Sequence, residues 1–481
     1  MKLKELLKDV EYNGNVRDID IASITHDSRK VREKSLFIAV EGRNVDGYKY
    51  IKEAVKNGAS AILANNRKIA VKDDITTINV PNTRAAMSKI ASSFYGHPSK
   101  SLNLIGVTGT NGKTSVCYLI NRILNNNNII SNSIGTLGYV NSSNIISTGF
   151  TTPESIDLHQ ILKTSVNAGV ENIVLEVSSH SIDMHRVDDL DLDIAIFTNL
   201  TPEHLDFHKT MDNYCESKKT IFKRLNADKI SILNRDDEYF NKIRSGLNSK
   251  IITYGLNKNS DIYPSSYDFL DTGTNAKISV LGNSIEISTN LIGKYNLYNI
   301  LASIAAANCL NIDLNQISKT LNEKICIPGR LEVVSNNNKK IVVVDYAHTV
   351  DAFYNVLETI SKLKYENIIT LFGCGGDRDK SKRALMAEIA EKYSSQVIVT
   401  ADNPRTENLN DIMSDISSGF KKNNYKIINS REDALIYSLK IMEPNSILLI
   451  LGKGAENYQE INGVRLPHYD REIILRIINA S

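Results

Sequence analysis

Residues 102–124 read LNLIGVTGTNGKTSVCYLINRIL, and this stretch limits the possible folds more than any other in the chain. An apolar run leads into a loop with glycine at 106, 109 and 112, and Val116, Leu119, Ile120, Ile123 and Leu124 then repeat at helical spacing. The pattern predicts strand, phosphate loop, helix. Gly109 and Gly112 let backbone N–H groups approach a polyphosphate, and the helix N-terminus adds partial positive charge. Lys113 supplies a full charge to the terminal phosphates, and the Thr114 hydroxyl suits Mg²⁺. The strict P-loop spacing asks for glycine at 107, where valine stands, and Gly109 serves the tight turn instead. A glycine turn before a helix is often only a connection. Lysine followed by Thr114 and Ser115, directly after an apolar strand, favours a nucleotide over segment 109–115.

A chain of 481 residues exceeds one hydrophobic core and predicts three domains. A formal net charge of +2 gives no polyanion surface, so no nucleic acid is expected. The richest apolar runs, 341–344 and 447–451, are of strand length, and Leu3, Leu6, Leu7 and Val10 lie at helical spacing among charges rather than in a signal-peptide core. No membrane insertion and a cytoplasmic location are therefore expected. Cys117, Cys215, Cys309, Cys326 and Cys374 form no CxxC pair and read as reduced packing residues. The asparagine run 125–128 reads as an exposed loop after a helix.

The expected fold class is α/β in three domains. Residues 1–99 alternate short strands and helices, with a helix near 50–56 and Asn82 placed to cap another. Residues 100–330 form a P-loop-type mononucleotide-binding α/β domain. Its strands near 172–177 and 193–198 run into SSHSIDMHR and NLTPEHLDFH, and ligands in open α/β sheets gather at such carboxyl ends. Glu176 and His204 are candidates to face the phosphates; a structural carboxylate and a satisfied core histidine are the alternatives. His204 and His208 stand at i, i+4, but no third ligand accompanies them for zinc. A hairpin is predicted around Gly282 and Asn283, then a helix with Asn296 at its start as a possible cap. Residues 331–481 predict a doubly wound, Rossmann-like domain with a parallel sheet. Four of its strands end in VVVDYAH, ITLFGCGGDRDKSKR, VIVTADNPR and ILLILGKGAENY, which the topology gathers on one edge as a composite site.

The motifs GVTGTNGKTS, TTPESIDLH, EVSSH, NLTPEHLDFH, PGRLE, DYAHT, FGCGGDRDK, DNPRTE and GKGAENYQ, in this order over nearly the whole chain, resemble those of the Mur ligase family. The resemblance implies a ligase that uses ATP and Mg²⁺ to join an amino acid to a nucleotide-linked peptide through an acyl phosphate. It implies an ATP site of Gly109, Thr110, Asn111, Gly112, Lys113, Thr114, Ser115, Asn296, Arg330, Asp345 and His348. It further implies Thr114, Glu176, His204 and Lys218 about the metal, with Lys218 carbamylated, and Lys113, Lys218 and His204 as the catalytic set. Without the family match, Lys218 reads as a solvated helix lysine. For the UDP-N-acetylmuramoyl dipeptide it implies Ser28, Thr151, Thr152, Ser178 and Arg186; Met184 takes the place of a frequent family glutamine.

Relatives that add meso-diaminopimelate carry DNPR, present here as Asp402, Asn403, Pro404 and Arg405. A distal carboxylate suits the planar arginine fork, whereas L-lysine offers only an ammonium there. Arg378, Gly452 and Glu456 complete the implied amino-acid site. Three departures from family pattern stand at Val350, Ala384 and Ala455, none at a charged position assigned to chemistry. The expected reaction is addition of meso-diaminopimelate to UDP-N-acetylmuramoyl-L-alanyl-D-glutamate in peptidoglycan synthesis. The alternatives are the same ligase using L-lysine, a folylpolyglutamate synthase relative, or a non-catalytic P-loop switch.

Overall fold

A computed structural model describes the chain apart from residues 43–45, 66–70, 72–73, 142–143, 338 and 481. Among the described residues, the first sheet has four parallel strands in chain order, Ser23–Thr25, Ser35–Ile38, Ala59–Asn65 and Thr76–Val80. The helix Thr83–Phe94 covers it, with Asn82 Oδ1 accepting the N–H groups of Arg84 and Ala85 as the sequence predicts. Leu3, Leu6, Leu7 and Val10 all turn inward against this sheet and helix.

The second sheet has eleven strands. Asn103–Thr108 lies at its middle, between Ile194–Phe197 and Asn172–Glu176, parallel to both, so the three carboxyl ends open on one edge. Strand alternation sends Ile105 and Val107 to one face and Leu104 to the other. The first face receives the helix Lys113–Asn126, whose Val116, Leu119, Ile120, Ile123 and Leu124 are fully buried against the helix Lys294–Cys309. Each such side chain contributes about 2 kcal/mol of transfer free energy. The other face is covered by Ser155–Asn167 and Met211–Lys223. The predicted hairpin forms between Gly273–Val280 and Asn283–Thr289.

The third sheet has six strands in the order Glu332–Asn337, Lys340–Asp345, Ser446–Leu451, Asn367–Phe372, Gln396–Val399 and Tyr425–Ile427. Five are parallel, as expected, but the edge pair Glu332–Asn337 and Lys340–Asp345 is antiparallel. Two residues separate those strands in the sequence, too few for a parallel crossover. A separate hairpin, Tyr458–Ile461 with Val464–Pro467, lies beyond the last parallel strand.

Two local expectations change. The asparagine run begins inside the helix Lys113–Asn126, and Asn125 Nδ2 donates to Ser131 O (2.8 Å), tying the helix end to the next strand. Asn296 caps nothing: the cap of Lys294–Cys309 is Gly293, at φ 91°, and Asn296 Nδ2 turns back to Ile292 O (2.9 Å). Glycine takes that cap because its φ is costly for any residue with a Cβ. No described helix is long and apolar enough to cross a membrane.

Candidate active site

The phosphate loop is held by the ends of its neighbouring strands. A Cβ on Gly109 would lie 1.8 Å from Thr198 Oγ1, and one on Gly112 would lie 2.5 Å from Asn299 Oδ1, so packing alone requires glycine at both. Thr198 Oγ1 donates to Asn111 O (2.7 Å), and Asn199 Oδ1 accepts the Asn111 N–H (2.9 Å). Asn199 therefore shapes the loop tip. Asn296 stands behind it, accepting from Asn299 Nδ2 (3.2 Å). Ser115 is buried in the first turn of the following helix.

Two lysines converge on one carbonyl. Lys113 Nζ donates to Gly109 O (2.9 Å) and Thr110 O (2.7 Å), and Lys218 Nζ also donates to Gly109 O (2.9 Å). Lys218 is only 1% exposed, so it is no solvated helix residue, and its amine lies 4.6 Å from the centre of the Tyr214 ring. Burial lowers the Lys113 ammonium, and burial together with the Lys113 charge lowers Lys218 well below the ordinary lysine value. A buried amine that loses its proton readily is a nucleophile. Tyr214 also hydrogen-bonds Thr110 Oγ1 (3.2 Å), linking the Lys218 helix to the loop.

The carboxyl end of Asn172–Glu176 carries a connected polar network. Glu176, 1% exposed, accepts the Thr136 N–H (2.9 Å) and hydroxyl (3.1 Å), and Thr136 Oγ1 in turn hydrogen-bonds Thr151 Oγ1 (3.2 Å). Thr152 Oγ1 donates to Glu176 O (2.7 Å), while Ser178 caps the helix Ser179–Asp183. Arg186 donates to Thr152 O (2.9 Å), pairs with Glu154 (2.7 Å) and stacks on Phe150 (4.6 Å). Met184 Sδ lies 3.6 Å from Arg186 Nη2, so a thioether packs beside that guanidinium.

His204 sits at φ 57° with its ring edge-on to His180, 4.6 Å between centroids, and burial, aided by His180 and the nearby cations, keeps it neutral. His208 is engaged elsewhere, with Ser179 Oγ (2.9 Å) and Asp183 (3.4 Å). The sequence reading passed over Glu203, which faces Lys382 at 3.7 Å and whose carboxyl is pushed up by burial. Its position inside NLTPEH was the available signal.

The third sheet closes on this assembly. Arg330 Nη2 donates to Thr114 Oγ1 (2.8 Å) while its guanidinium stacks on Tyr346 (4.6 Å). Asn111 Nδ2 donates to Asp351 Oδ2 (2.9 Å), at the start of the helix Val350–Ser361. Thr349 caps that helix, so valine at 350 leaves its start intact. Asp345 is buried, its carboxyl raised by that burial, and fixes the junction by accepting the N–H groups of Leu331 (2.6 Å) and Ala347 (2.7 Å). His348 Nδ1–H donates to Tyr346 O (2.7 Å), and burial takes its pKa down to about 3.

Beyond Tyr346 opens a cavity of about 1330 Å³. Thr136 and Thr151 line it from the second sheet, and Arg378, Arg405, Ala455 and Glu456 from the third. A Cβ on Gly375 would lie 2.9 Å from Arg405 Nη1 and 3.8 Å from Arg378 Cγ, so both arginines flank one loop. Arg405, at φ 53°, donates to Gly376 O (2.7 Å). Asp402 Oδ1 accepts the Asn403 N–H (2.6 Å), and a Cβ on Gly452 would lie 2.8 Å from Asp402 Oδ2. Pro404 O packs on Gly376, and Asn403 Nδ2 donates to Glu456 Oε2 (2.9 Å). Ala384, on the helix Lys382–Tyr393, packs on Gly419 rather than at the cavity. Ser28 stands apart in the first sheet, donating to Glu53 Oε2 (2.8 Å), and does not line the cavity.

Family models match three stretches: Mur ligase family, catalytic domain, over 20–95; Mur ligase middle domain over 107–307; and Mur ligase, glutamate ligase domain, over 329–454. The chain is 41% identical to the UDP-N-acetylmuramoyl-L-alanyl-D-glutamate--2,6-diaminopimelate ligase of Caldanaerobacter subterraneus subsp. tengcongensis, covering 100% of both chains. It is 42% identical to the ligase of the same name from Alkaliphilus oremlandii, over 99% of each. A solved structure of a ligase so named superposes with a TM-score of 0.69 at 29% identity, covering 100% of this chain and 99% of that one. The MurF ligase from Thermotoga maritima in complex with ADP shares the fold at 19% identity, with a TM-score of 0.66 over 95% of this chain and 97% of that one.

Proposed function

The chain belongs to the Mur ligase family, with its three-domain α/β architecture, and from that premise we propose that it adds meso-diaminopimelate to UDP-N-acetylmuramoyl-L-alanyl-D-glutamate using ATP. We take the domains as 1–99, 100–330 and 331–481, and the setting as cytoplasmic peptidoglycan synthesis. The observation that carries the reading is Arg330. It bonds the phosphate-loop hydroxyl of Thr114 and stacks on Tyr346, which lines the cavity holding Arg378, Arg405 and Glu456. On this reading the nucleotide and amino-acid sites are continuous.

In the proposed reaction a carboxylate oxygen of the bound peptide attacks the γ-phosphorus of ATP, and ADP leaves. The amine of diaminopimelate then attacks the carbonyl carbon of the acyl phosphate, a proton is lost from nitrogen, and phosphate departs. Little covalent work falls to the protein, so positioning and charge dominate. Gly109 to Ser115 cradle the phosphates, with Lys113 swinging from the loop carbonyls to the transferred group. Asn296 backs the loop, and Arg330, Asp345 and His348 complete the ATP site from the domain junction. Neutral His204 beside the phosphates adds no competing charge.

Thr151, Thr152, Ser178 and Arg186 receive the muramoyl peptide, and Ser28 the uridine end. Arg378 and Arg405 bind carboxylates of diaminopimelate, with Asp402, Asn403, Pro404, Gly452 and Glu456 completing that site. The hydroxyl of Thr114 and the carboxylate of Glu176 are hard oxygens suited to Mg²⁺, with His204 a further contact. Bound Mg²⁺ would neutralise polyphosphate charge. Lys218, buried and readily deprotonated, is suited to carbamylation, which converts it to an anionic oxygen donor.

The test is phosphate release by the purified protein with ATP, Mg²⁺ and the UDP-muramoyl dipeptide, run in parallel with meso-diaminopimelate and with L-lysine. Release with diaminopimelate alone is expected. Release with lysine alone would keep the ligase and overturn the role given to Arg405; release with neither would refute the reaction.

A further inference from the structure

One fully buried cation beside the cavity has no part in the chemistry above. Lys453 follows the strand Ser446–Leu451 in the GKGAE loop and is 0% exposed. Its Nζ donates to Asn403 Oδ1 (3.1 Å) and to Glu456 Oε2 (3.1 Å), and lies 5.5 Å from the Tyr458 ring centre. Asn403 closes the triangle by donating to the same Glu456 Oε2 (2.9 Å), and Asn403 Oδ1 also accepts the Glu460 N–H (2.9 Å). One oxygen of Glu456 is therefore held by two donors. The other, Oε1, has the Tyr346 hydroxyl at 3.4 Å, and the side chain forms part of the cavity wall.

We propose that Lys453 is a positioning and specificity-determining residue for the incoming amino acid. It fixes the rotamer of Glu456 so that Oε1 is offered to an amine of the substrate, and its charge offsets that of the carboxylate it holds. Glu460 lies 3.8 Å from Arg405 and offsets it as Lys453 offsets Glu456, so removing the Lys453 charge leaves Glu456 uncompensated and makes this wall less favourable to an amino acid whose distal end carries a carboxylate than to one with a lone ammonium. A buried ion pair of this kind contributes little net stability, so its value lies in geometry and charge. The inference rests on the ligase reading proposed above.

The test compares wild type with Lys453→Met, which keeps the length without the charge, and Lys453→Gln, which keeps a donor toward Asn403. Phosphate release is measured with ATP, Mg²⁺ and the UDP-muramoyl dipeptide while meso-diaminopimelate, L-lysine or ATP is varied. In both variants the KM for diaminopimelate should rise about 10- to 100-fold, as for loss of a hydrogen bond to a charged group, with the KM for ATP within about twofold. The ratio of kcat/KM for L-lysine over diaminopimelate should also rise, because the wall then carries one more net negative charge. A merely structural lysine would not move that ratio. Equal changes in the KM values of ATP and diaminopimelate, an unchanged ratio, or failure of both variants to fold would each overturn the proposal. A wild type that releases no phosphate with diaminopimelate would instead refute the reaction itself, before the variants are considered.

Discussion

Replacing Lys218 by methionine should raise stability while it lowers turnover, a combination that no simple packing residue gives. The amines of Lys218 and Lys113 each lie 2.9 Å from Gly109 O, which puts them at most about 5.8 Å apart; at an effective dielectric constant near 20, two ammonium charges at that range repel by about 3 kcal/mol. Burial and the Lys113 charge both push the Lys218 pKa down, so holding its proton costs the folded protein stability. Between that lowered pKa and the ordinary value of 10.5 the unfolded chain binds more protons than the folded one, so stability rises with pH through this window. Methionine removes the cost. Urea denaturation should show a gain of about 1–3 kcal/mol at pH 7, shrinking toward pH 10, with an unchanged denaturant slope. Phosphate release should fall by about 10²–10³, the range for loss of one group stabilising transition-state charge. Intact-mass measurement of the wild type in bicarbonate should add the mass of one CO₂, absent in the variant. Wild-type turnover in Lys218→Met, or a loss of more than about 1 kcal/mol at pH 7, would refute the reasoning and leave Lys218 as a prop for the loop carbonyl.

Arg405→Ala should raise the KM for diaminopimelate about 10- to 100-fold and leave that for ATP nearly unchanged, read from the same phosphate assay with each substrate varied. Asp470→Asn should cost about 3 kcal/mol in urea denaturation, because Arg431 and Asp470 are both 0% exposed and bonded at 2.9 and 2.7 Å; Arg431 also donates to Ala401 O and Leu451 O, beside the amino-acid loops. His159 is buried with neither ring nitrogen bonded among the described residues, and burial, with the His97 charge, takes its pKa from 6.5 down to about 4. Its folded pKa is depressed, so stability is lost as pH falls from 6.5 toward 4, by about 3 kcal/mol in all; His159→Leu should abolish that slope in urea midpoints taken across the range. Chelation with EDTA should stop phosphate release, and added Mg²⁺ should restore it; turnover persisting under EDTA would remove the metal from the reaction.

The sequence by itself determined the main elements and their order. Local patterns sufficed for that: the apolar spacing from Val116 to Leu124 specified the helix behind the phosphate loop, Asn82 its neighbour's cap, and Gly282 with Asn283 a hairpin. The edge strand Glu332–Asn337 was missed although its two-residue connection was visible, because four parallel strands set the expectation. The capping alternative for Asn296 falls because the cap depends on φ at Gly293, which residue type alone does not report.

The site was legible as a set of motifs but not as an arrangement. Asn111 meets Asp351 across 240 positions and Arg330 meets Thr114 across 216, contacts that no spacing rule connects. The character of each lysine was equally hidden: Lys113, Lys218 and Lys453 are the same residue type, and only the fold buried Lys218 beside the Lys113 charge and brought Lys453 to Asn403 and Glu456. Periodicity and turn chemistry are carried by near neighbours, so the chain displays them directly. Dielectric environment and charge pairing depend on whichever segments fold together around a side chain, and the tertiary structure alone decided those.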